Sequence, residues 1–192
     1  MKKVLAIALT LLCCFAAEAQ LPIIKPSGIY KISNGLYYGM ADYVDNIVAS
    51  STLRPQGRAN YRADNIFDRD PKTAWVEGVK GYGIGQWIEF RNVCVVRGAG
   101  DDYARPVRQI NILNGYVKSD KAWRENARVK YLKVYCNGRP KCILALHNSR
   151  SLQALNVKGL FSAGATIRFE ILDVYPGTKY QDTVISEIYF PY

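Results

Sequence analysis

The sequence is poor in the residues on which most enzymes and metal sites depend. It has a single histidine, His147, whose neighbours in "ALHNSR" show no metal-ligand spacing, and one imidazole cannot build a zinc site alone. No local motif supports a nucleophile pair between His147 and Cys94. The adjacent carboxylates Asp101 and Asp102 fit a solvated loop better than an acid–base pair. The sequence therefore predicts a protein that is not an enzyme.

Phosphate-binding chemistry is also missing. The segment "GVKGYGIGQW" is rich in glycine, but it lacks the lysine–hydroxyl ending of a phosphate-binding loop and leads into a predicted strand. Lysine and arginine number 26 against 16 acidic residues, which gives a net charge of +10. These cations are scattered, which favours the solvent sides of strands over a nucleic-acid interface. A glycan or cell-surface ligand remains compatible with this charge.

Long apolar runs are missing except at the N-terminus. Residues 4–15 are apolar, Lys2 and Lys3 precede them, and "AEA" follows as a small-x-small cleavage site. This predicts a signal peptide over residues 1–19, cleaved before Gln20, and hence a secreted or periplasmic protein without a membrane span, because the run is too short. A lipoprotein anchored through Cys13 is less favoured, because Leu12 is bulky where that processing prefers a small residue.

Beyond the predicted signal peptide the sequence has only three cysteines, Cys94, Cys136 and Cys142. An odd number in an oxidising compartment leaves at least one thiol without an intramolecular partner. Cys136 and Cys142 flank "NGRPK", whose Asn-Gly pair signals a tight turn. Two interpretations stay open: a disulfide across this hairpin, or three buried free thiols.

Long amphipathic helices are absent, and only "YRADNIFD" predicts a single helical turn. The segments "GQWIEF", "VRQINILN", "RVKYLKVYC" and "TIRFEILDVY" alternate with a period of two. In "RVKYLKVYC" the pattern places Lys130 on the same face as Leu132 and Val134. Many short strands separated by turn residues predict an antiparallel sandwich or barrel. Residues 20–48 are expected to add strands or a tether to one domain at 49–192.

Three motifs carry a family resemblance: "IVASSTLRP", "FDRDPKTAW" and the closing "ISEI". With them, residues 49–190 resemble discoidin-like domains, also called factor V/VIII type C or galactose-binding-like domains. Within that group the sequence is most similar to the translocation domain of streptococcal NAD-glycohydrolase toxins. The resemblance implies an all-β, antiparallel jelly-roll β-sandwich. Such domains often accompany a catalytic domain, and the stretch from Cys94 to Gln109 looks like an insertion.

The resemblance also implies a structural Ca²⁺ site. It places the "FDRDPKT" turn beside the "ISEI" strand, so that Asp68, Asp70, Thr73 and Glu187 offer hard oxygen ligands. The alternative is a metal-free turn, in which Asp68 and Thr73 cap backbone N–H groups and Glu187 pairs with a nearby Arg or Lys.

Two polar loops with aromatic residues are the candidate ligand sites. Trp75 and Trp87 are expected in the core. Trp123 has no strand pattern around it, and two interpretations stay open: its ring stacks on a sugar, or it covers the edge of the sandwich. In "DVYPGTKYQD", Pro176-Gly177 predicts a type II turn, which needs a positive φ at Gly177. The polar residues of this loop form either a ligand rim or a corner that holds the last strands. The candidate ligand-binding residues are Tyr116, Trp123, Arg124, Asn126, Tyr175, Lys179, Tyr180 and Asp182.

The leading hypothesis is a secreted, non-catalytic binding module that recognises carbohydrate at a cell surface or in the periplasm. The alternative is a structural or protein-interaction subunit of an envelope or toxin-like assembly. An exposed apolar patch or a long uncovered edge strand would favour the alternative.

Overall fold

The computed structural model describes residues 20–31, 42–95 and 104–191. Three predicted features lie outside this part: the signal peptide with Cys13, residues 32–41, and the adjacent carboxylates Asp101 and Asp102. Among the described residues, twelve strands and two short helices form, in the order β1 (Ile23–Ile24), β2 (Gly28–Tyr30), β3 (Asp42–Tyr43), β4 (Asn46–Ala49), a 3₁₀ helix η1 (Ala63–Ile66), β5 (Trp75–Val76), β6 (Trp87–Val95), β7 (Gln109–Asn114), α1 (Asp120–Glu125), β8 (Ala127–Cys136), β9 (Arg139–Ala145), β10 (Leu152–Asn156), β11 (Ala165–Tyr175) and β12 (Thr183–Tyr189).

The strands form two layers that enclose one core. One layer has the order β4-β6-β11-β8-β9, and the other has the order β5-β12-β7-β10. Their neighbours are antiparallel. A short parallel pairing of β12 with β8 joins the layers at one corner, where Thr183 faces Ala127. The predicted antiparallel β-sandwich is confirmed.

Where the structure describes residues 20–48, they contribute strands, which is one of the two alternatives expected for them. β1 pairs with β9, and β2 pairs with β10. β9 and β10 are the outer strands of the two layers, so residues 23–30 cover part of each edge on that side of the sandwich. β3 and β4 both pair with β6 at the opposite side. Covered edges resist pairing with other chains, which disfavours β9 and β10 as docking strands.

The core follows the alternation seen in the sequence. In β11, Ile167, Phe169 and Ile171 are completely buried, while the residues between them are half-buried. Phe90 from β6 meets Phe169 edge to face, with ring centroids 5.7 Å apart, and meets Phe190 at 5.3 Å. Such edge-to-face contacts add stabilisation beyond the area that they bury. The aromatic contacts tie β6, β11 and the end of the chain together.

A β-bulge in β8 moves Lys130 off the face on which the sequence pattern placed it. Tyr131 pairs with Asp173 and Val129 pairs with Val174, so Lys130 is the extra residue on β8. Its ammonium lies 2.8 Å from the carboxylate of Asp173, and its side chain is 38% exposed. The prediction that Lys130 shares the face of Leu132 and Val134 is therefore wrong, because a bulge inserts one residue and breaks the period of two.

The two expected core tryptophans differ. Trp75 is completely buried, and its indole N–H donates to the carbonyl of Ser51 at 3.1 Å. Trp87 is half-buried on the outer face of β6, beneath the guanidinium of Arg168 at 4.0 Å from the ring centroid. Arg168 also pairs with Glu89 at 2.7 Å. The core prediction is right for Trp75 and wrong for Trp87, which packs under a cation instead.

The helical turn predicted in "YRADNIFD" is confirmed as η1, whereas α1 was not predicted. The hydroxyl of Ser119 caps α1 by accepting from the N–H of Ala122 at 3.1 Å. Six residues make too few turns to show a helical period in the sequence. A capping serine was the one local signal of this helix.

The three cysteines within the described ranges, Cys94, Cys136 and Cys142, are free and buried. Asn137 and Gly138 have φ angles of 49° and 76°, which confirms the tight turn between β8 and β9. Burial raises the pKa of Cys142 to about 12, so this thiol stays protonated at neutral pH. Of the two interpretations of Cys136 and Cys142, the structure has the unpaired one.

Candidate functional site

An open cleft of about 310 Å³, here called the first cleft, lies at one end of the sandwich. It forms where β7 ends, where β8 begins and where the loop between β11 and β12 turns. Four of the predicted ligand residues line it together: Tyr116, Asn126, Tyr180 and Asp182. The other lining residues are Leu53, Gln56, Tyr61, Val76, Lys118, Ser119, Lys121, Ala122 and Glu125.

The two predicted loops are locked into one unit behind this cleft. The last carbonyls of a helix have no partner within the helix. In α1 they accept from the next loop: the carbonyl of Arg124 accepts from Thr178 N at 3.0 Å, and that of Glu125 accepts from Lys179 N at 3.1 Å and Tyr180 N at 2.8 Å. These bonds fix the position of Tyr180 against α1.

Gly177 permits this docking by its small size. A Cβ at this position would lie 2.4 Å from the carbonyl oxygen of Glu125 and 2.5 Å from the carbonyl carbon of Asn126. Gly177 is not among the glycines with a positive φ, so the predicted type II turn is wrong. The loop needs glycine because its backbone approaches α1 closely.

Three tyrosines form the aromatic part of the first cleft. Tyr61 and Tyr116 are each 8% exposed and meet edge to face with ring centroids 6.4 Å apart. Burial raises the pKa of Tyr61, which keeps its hydroxyl neutral. Tyr180 is 41% exposed, and the ammonium of Lys179 lies 4.9 Å from its ring centroid. Tyr180 is therefore the aromatic residue of the cleft with a substantial surface open to a ligand.

Two carboxylates with raised pKa values have different places: Asp182 lines the first cleft, whereas Glu77 does not. Asp182 lines the cleft, and burial raises its pKa. Glu77 is completely buried and accepts from the backbone N–H groups of Val79 at 2.9 Å and Thr183 at 3.2 Å. Burial raises the pKa of Glu77 as well. Glu77 thus holds the start of β12 in place, while Asp182 offers hydrogen-bond acceptors to the cleft.

Trp123 lies behind the first cleft and does not line it. Its indole N–H donates to the carbonyl of Asn114 at 2.9 Å. The guanidinium of Arg128 lies 4.6 Å from its ring centroid and donates to the carbonyl of Asn126 at 2.8 Å. The contacts make Trp123 a support for the loop that carries Asn126. Its predicted ligand contact stays a prediction.

The remaining candidates also lie outside the lining. The hydroxyl of Tyr175 donates to the carbonyl of Leu146 at 3.0 Å, a contact that fits the corner interpretation of its loop. Arg124 is exposed and contributes its carbonyl to the docking of Thr178. Lys179 is exposed beside Tyr180, at the rim.

Sequence patterns missed the wall contributed by residues 53–61. A pair of bridge hydrogen bonds between Gln56 and Ala59 closes a small turn there, and Gly57 adopts a φ of 61°. The segment "RPQGRAN" carried a turn signal in its proline and glycine. That signal predicts a turn but not its neighbours, and only the fold places Gln56 and Tyr61 opposite Tyr180.

The proposed metal ligands meet where the "FDRDPKT" turn contacts β12. The carboxylate of Asp68 accepts from the backbone N–H of Asp70 at 2.9 Å and from the hydroxyl of Thr73 at 2.7 Å. Arg69 between them has a φ of 65°. These bonds match the capped turn that was the metal-free alternative for Asp68 and Thr73.

Glu187 departs from that alternative. It is completely buried, and neither of its carboxylate oxygens makes a hydrogen bond of ordinary geometry in the part of the chain that the structure describes. The backbone N–H of Arg69 and the carboxyl group of Asp68 lie beside it. Burial, and then the charge of Asp68, raise the pKa of Glu187 to about 9. Within the described ranges, no three His, Cys, Asp or Glu side chains form a metal-binding group. A buried carboxylate without a partner still requires an explanation.

Residues 37–191 match the family described as the NAD glycohydrolase translocation F5/8 type C domain. The chain belongs to this family. The F5/8 type C match confirms the resemblance read from the "FDRDPKTAW" and "ISEI" motifs. No curated protein matches the chain in sequence.

The solved structures similar to this F5/8 type C chain include CBM32 domains of Clostridium perfringens proteins. The CBM32-1 and CBM32-2 domains of ZmpB in complex with GalNAc share 11% identity, with a TM-score of 0.58 over 91% of this chain and 41% of that one. The domain CpGH89CBM32-5, in complex with GalNAc-β-1,3-galactose, shares 16% identity, with a TM-score of 0.51 over 74% of this chain and 91% of that one. At these identities the likeness shows the fold, a galactose-binding-like jelly roll.

The F5/8 type C chain thus spans about two fifths of the ZmpB structures. In the described ranges, no helix is long and apolar enough to cross a membrane.

Proposed function

We propose that this F5/8 type C domain is a secreted, non-catalytic carbohydrate-binding module whose sugar occupies the first cleft. The observation that carries the proposal is the exposed ring of Tyr180 in the same cleft as the carboxylate of Asp182 and the amide of Asn126. An aromatic face, a carboxylate and an amide within one open cleft are the groups that sugar recognition needs.

Each group has a defined task in this proposal. The ring of Tyr180 stacks on the apolar C–H face of a pyranose, while Asp182 accepts hydrogen bonds from two ring hydroxyls. The amide of Asn126 already donates to the carbonyl of Ala122 at 2.9 Å, which holds its side chain in place. Tyr61 and Tyr116 close the wall behind the sugar and exclude water from these bonds.

The ligand class proposed is a terminal galactose or N-acetylgalactosamine residue. The similar clostridial domains were solved with GalNAc and with GalNAc-β-1,3-galactose. Those ligands are properties of those proteins and supply the first compounds to test. The sugar is proposed to lie at a cell surface or in the periplasm, in keeping with the predicted signal peptide.

The test is isothermal titration calorimetry with GalNAc-β-1,3-galactose. Replacing Tyr180 with Ala removes the stacking face and should weaken binding at least about tenfold, which is about 1.4 kcal/mol. Asp182→Asn should also weaken binding, because it replaces one acceptor oxygen of the carboxylate with an NH₂ group that can only donate. The matched control is Tyr43→Ala, because Tyr43 is 54% exposed but does not line the cleft.

Trp123→Ala distinguishes two roles of that residue, contact with the sugar and support of the loop that carries Asn126. If Trp123 only supports its loop, its loss should lower both the melting temperature and the affinity, whereas Tyr180→Ala should lower the affinity alone. A glycan array that stays flat for neutral and acidic sugars with the folded wild type would refute the proposed function.

We further propose that Ca²⁺ occupies the site beside Glu187. The fit rests on the buried, unpartnered carboxylate of Glu187 next to Asp68. Asp68, Asp70, Thr73 and Glu187 would hold the ion with backbone carbonyls, since Ca²⁺ accepts neutral oxygens as well as carboxylates. When bound, the ion supplies positive charge that ties the turn to β12. The residues alone position the turn through the bonds from Asp68 to Asp70 and Thr73.

A further inference from the structure

A second cleft, of about 410 Å³, is lined largely by cations, and is here called the lysine cleft. It lies beside the "FDRDPKT" turn and the end of β2. Four of its seven lining residues are positively charged at neutral pH. The lining residues are Lys31, Pro71, Lys72, Val117, Lys118, Arg150 and Ser151.

The lysine cleft adjoins the first cleft. Lys118 lines both of them, and its ammonium lies 4.4 Å from the ring centroid of Tyr116, inside the first cleft. The charge of Lys118 also offsets part of the rise in the pKa of Tyr61 that burial causes. A ligand that extends beyond a sugar in the first cleft can therefore pass Lys118 into the lysine cleft.

The positive charge of the lysine cleft is largely unneutralised. Over the described ranges, no carboxylate forms an ion pair with the ammonium of Lys31, Lys72 or Lys118. The nearby carboxylate of Asp70 accepts from the backbone N–H of Lys72 at 2.9 Å. Residues 32–41, which follow Lys31 in the sequence, include no Asp or Glu.

Arg150 supplies a fixed cation at the same cleft. Its guanidinium donates to the carbonyl of Val117 and pairs with Asp120. The pair is half-exposed, with Asp120 66% exposed, so it keeps this cation in one place at little net cost. Three ammonium groups without a carboxylate partner among the described residues, together with one held guanidinium, form a positive site into which a flexible anion can fit.

We propose that the lysine cleft binds the carboxylate or sulfate group of an acidic glycan whose neighbouring sugar occupies the first cleft. This inference rests on the proposed function and narrows it to anionic polysaccharides with a galactose-type residue. Another basic cleft, lined by Arg105, Arg108 and Lys158, shares no lining residue with the first cleft. The continuity through Lys118 therefore selects the lysine cleft as the extension of the sugar site.

The test compares three ligands by titration calorimetry: neutral GalNAc-β-1,3-galactose, unsulfated chondroitin oligosaccharide and chondroitin sulfate oligosaccharide. The second carries carboxylates alone, and the third carries carboxylates and sulfates. The wild type should bind both anionic ligands more tightly than the neutral one. Added NaCl should weaken only the anionic ligands, because salt screens exposed charges.

The variant Lys31→Gln/Lys72→Gln removes two charges that do not line the first cleft. It should weaken the anionic ligands by about fivefold, given the strength of exposed charge pairs, and leave the neutral disaccharide unchanged. The control Lys141→Gln/Lys158→Gln removes the same charge elsewhere and should leave all three affinities unchanged.

The outcomes separate the two proposals. If the neutral disaccharide binds and the anionic ligands bind no more tightly, or the two variants lose anionic affinity equally, this inference is wrong and the proposed function stands. If no ligand binds, the proposed function fails and this inference fails with it. Capture on phosphatidylglycerol vesicles without chondroitin binding, lost in Lys31→Gln/Lys72→Gln, would overturn the glycan assignment in favour of an anionic lipid surface.

Discussion

Glu187 is the residue whose environment is hardest to explain without a ligand. Its carboxyl group is completely buried and has no hydrogen-bond partner among the described residues. A buried unpaired charge is costly, so without a cation the group remains protonated, with a pKa of about 9. Two measurable properties follow from this single group.

The first property is a pH dependence of stability in the presence of a chelator. The pKa of Glu187 is raised in the folded state, so its protonated form stabilises the fold fully below the ordinary value of 4.5, and that stability is lost as the pH rises towards about 9. The free energy of unfolding should fall by up to about 1.4 kcal/mol per pH unit in this window. Urea unfolding across the window measures it.

The control is Glu187→Gln, which stays neutral at all pH values and keeps the side-chain shape. The raised pKa values of Glu77 and Asp182 have the same sign and persist in the variant. Only the difference in slope between wild type and variant therefore reports Glu187. Equal slopes would show that Glu187 is ionised in the chelated protein.

The second property is a response to calcium. An ion that binds only the folded state at a hundred times its dissociation constant adds about 2.7 kcal/mol of stability. This should raise the melting temperature of the wild type by several degrees. The response should grow with pH, because the ion competes with the proton on Glu187, and it should shrink or vanish in Glu187→Gln. If neither chelator nor added calcium changes the melting temperature of the wild type, the calcium proposal is wrong. Asp68 and Thr73 then only cap the turn.

At the scale of elements, the docking of the β11–β12 loop on α1 decides the shape of the first cleft. The loop carries Tyr180 and Asp182, and α1 leads into Asn126. Each element is stabilised by the other, because α1 is only six residues long and the loop forms no strand pairs of its own. Their shared hydrogen bonds supply the missing partners of the helix end.

Gly177→Ala tests that docking. The added Cβ would lie 2.4 Å from the carbonyl oxygen of Glu125, so the loop must move away from α1. We expect a loss of about 1–3 kcal/mol in the free energy of unfolding, as for other overpacked sites, together with weaker sugar binding. Gly81→Ala is an informative comparison, because Gly81 has open space around its Cβ but a φ of 97°. Unchanged sugar affinity in Gly177→Ala would show that docking does not shape the cleft.

At the scale of the whole molecule, the core joins two layers whose strands, over the described ranges, pair with each other at one corner, between β12 and β8. Phe90 contacts rings from β11, from the end of the chain and from Phe67 next to η1. Rings that lie far apart in the sequence, from Phe67 to Phe190, therefore form one aromatic cluster. Such a core should unfold as one cooperative unit.

Phe90→Ala should lower the free energy of unfolding by about 3–5 kcal/mol, because it leaves a cavity beside Phe169 and Phe190, which are completely buried. Denaturant unfolding monitored by both fluorescence and circular dichroism measures the loss and its cooperativity. The control is Ile84→Ala, since Ile84 is 56% exposed and contributes little to the core. A small loss in Phe90→Ala, or probes that no longer coincide, would contradict a single shared core.

The sequence by itself determined the sandwich, the faces of β11 and the turn at Asn137–Gly138. These features follow from period-two alternation and turn chemistry, which are local properties of the chain. It also indicated four residues of the first cleft, since polar loops between strands gather at the ends of a sandwich. The face of Lys130 and the burial of Trp87 were mispredicted, because a bulge and a stacked guanidinium depend on neighbouring strands.

Only the tertiary structure decided which loop residues share a surface. Gln56 and Tyr61 join Tyr180 across more than a hundred residues, and Lys31 joins Lys118, because strand order rather than sequence distance brings their loops together. The same is true of Glu187. Its motif named the residue, but the burial that raises its pKa exists only once β12 is covered by the turn.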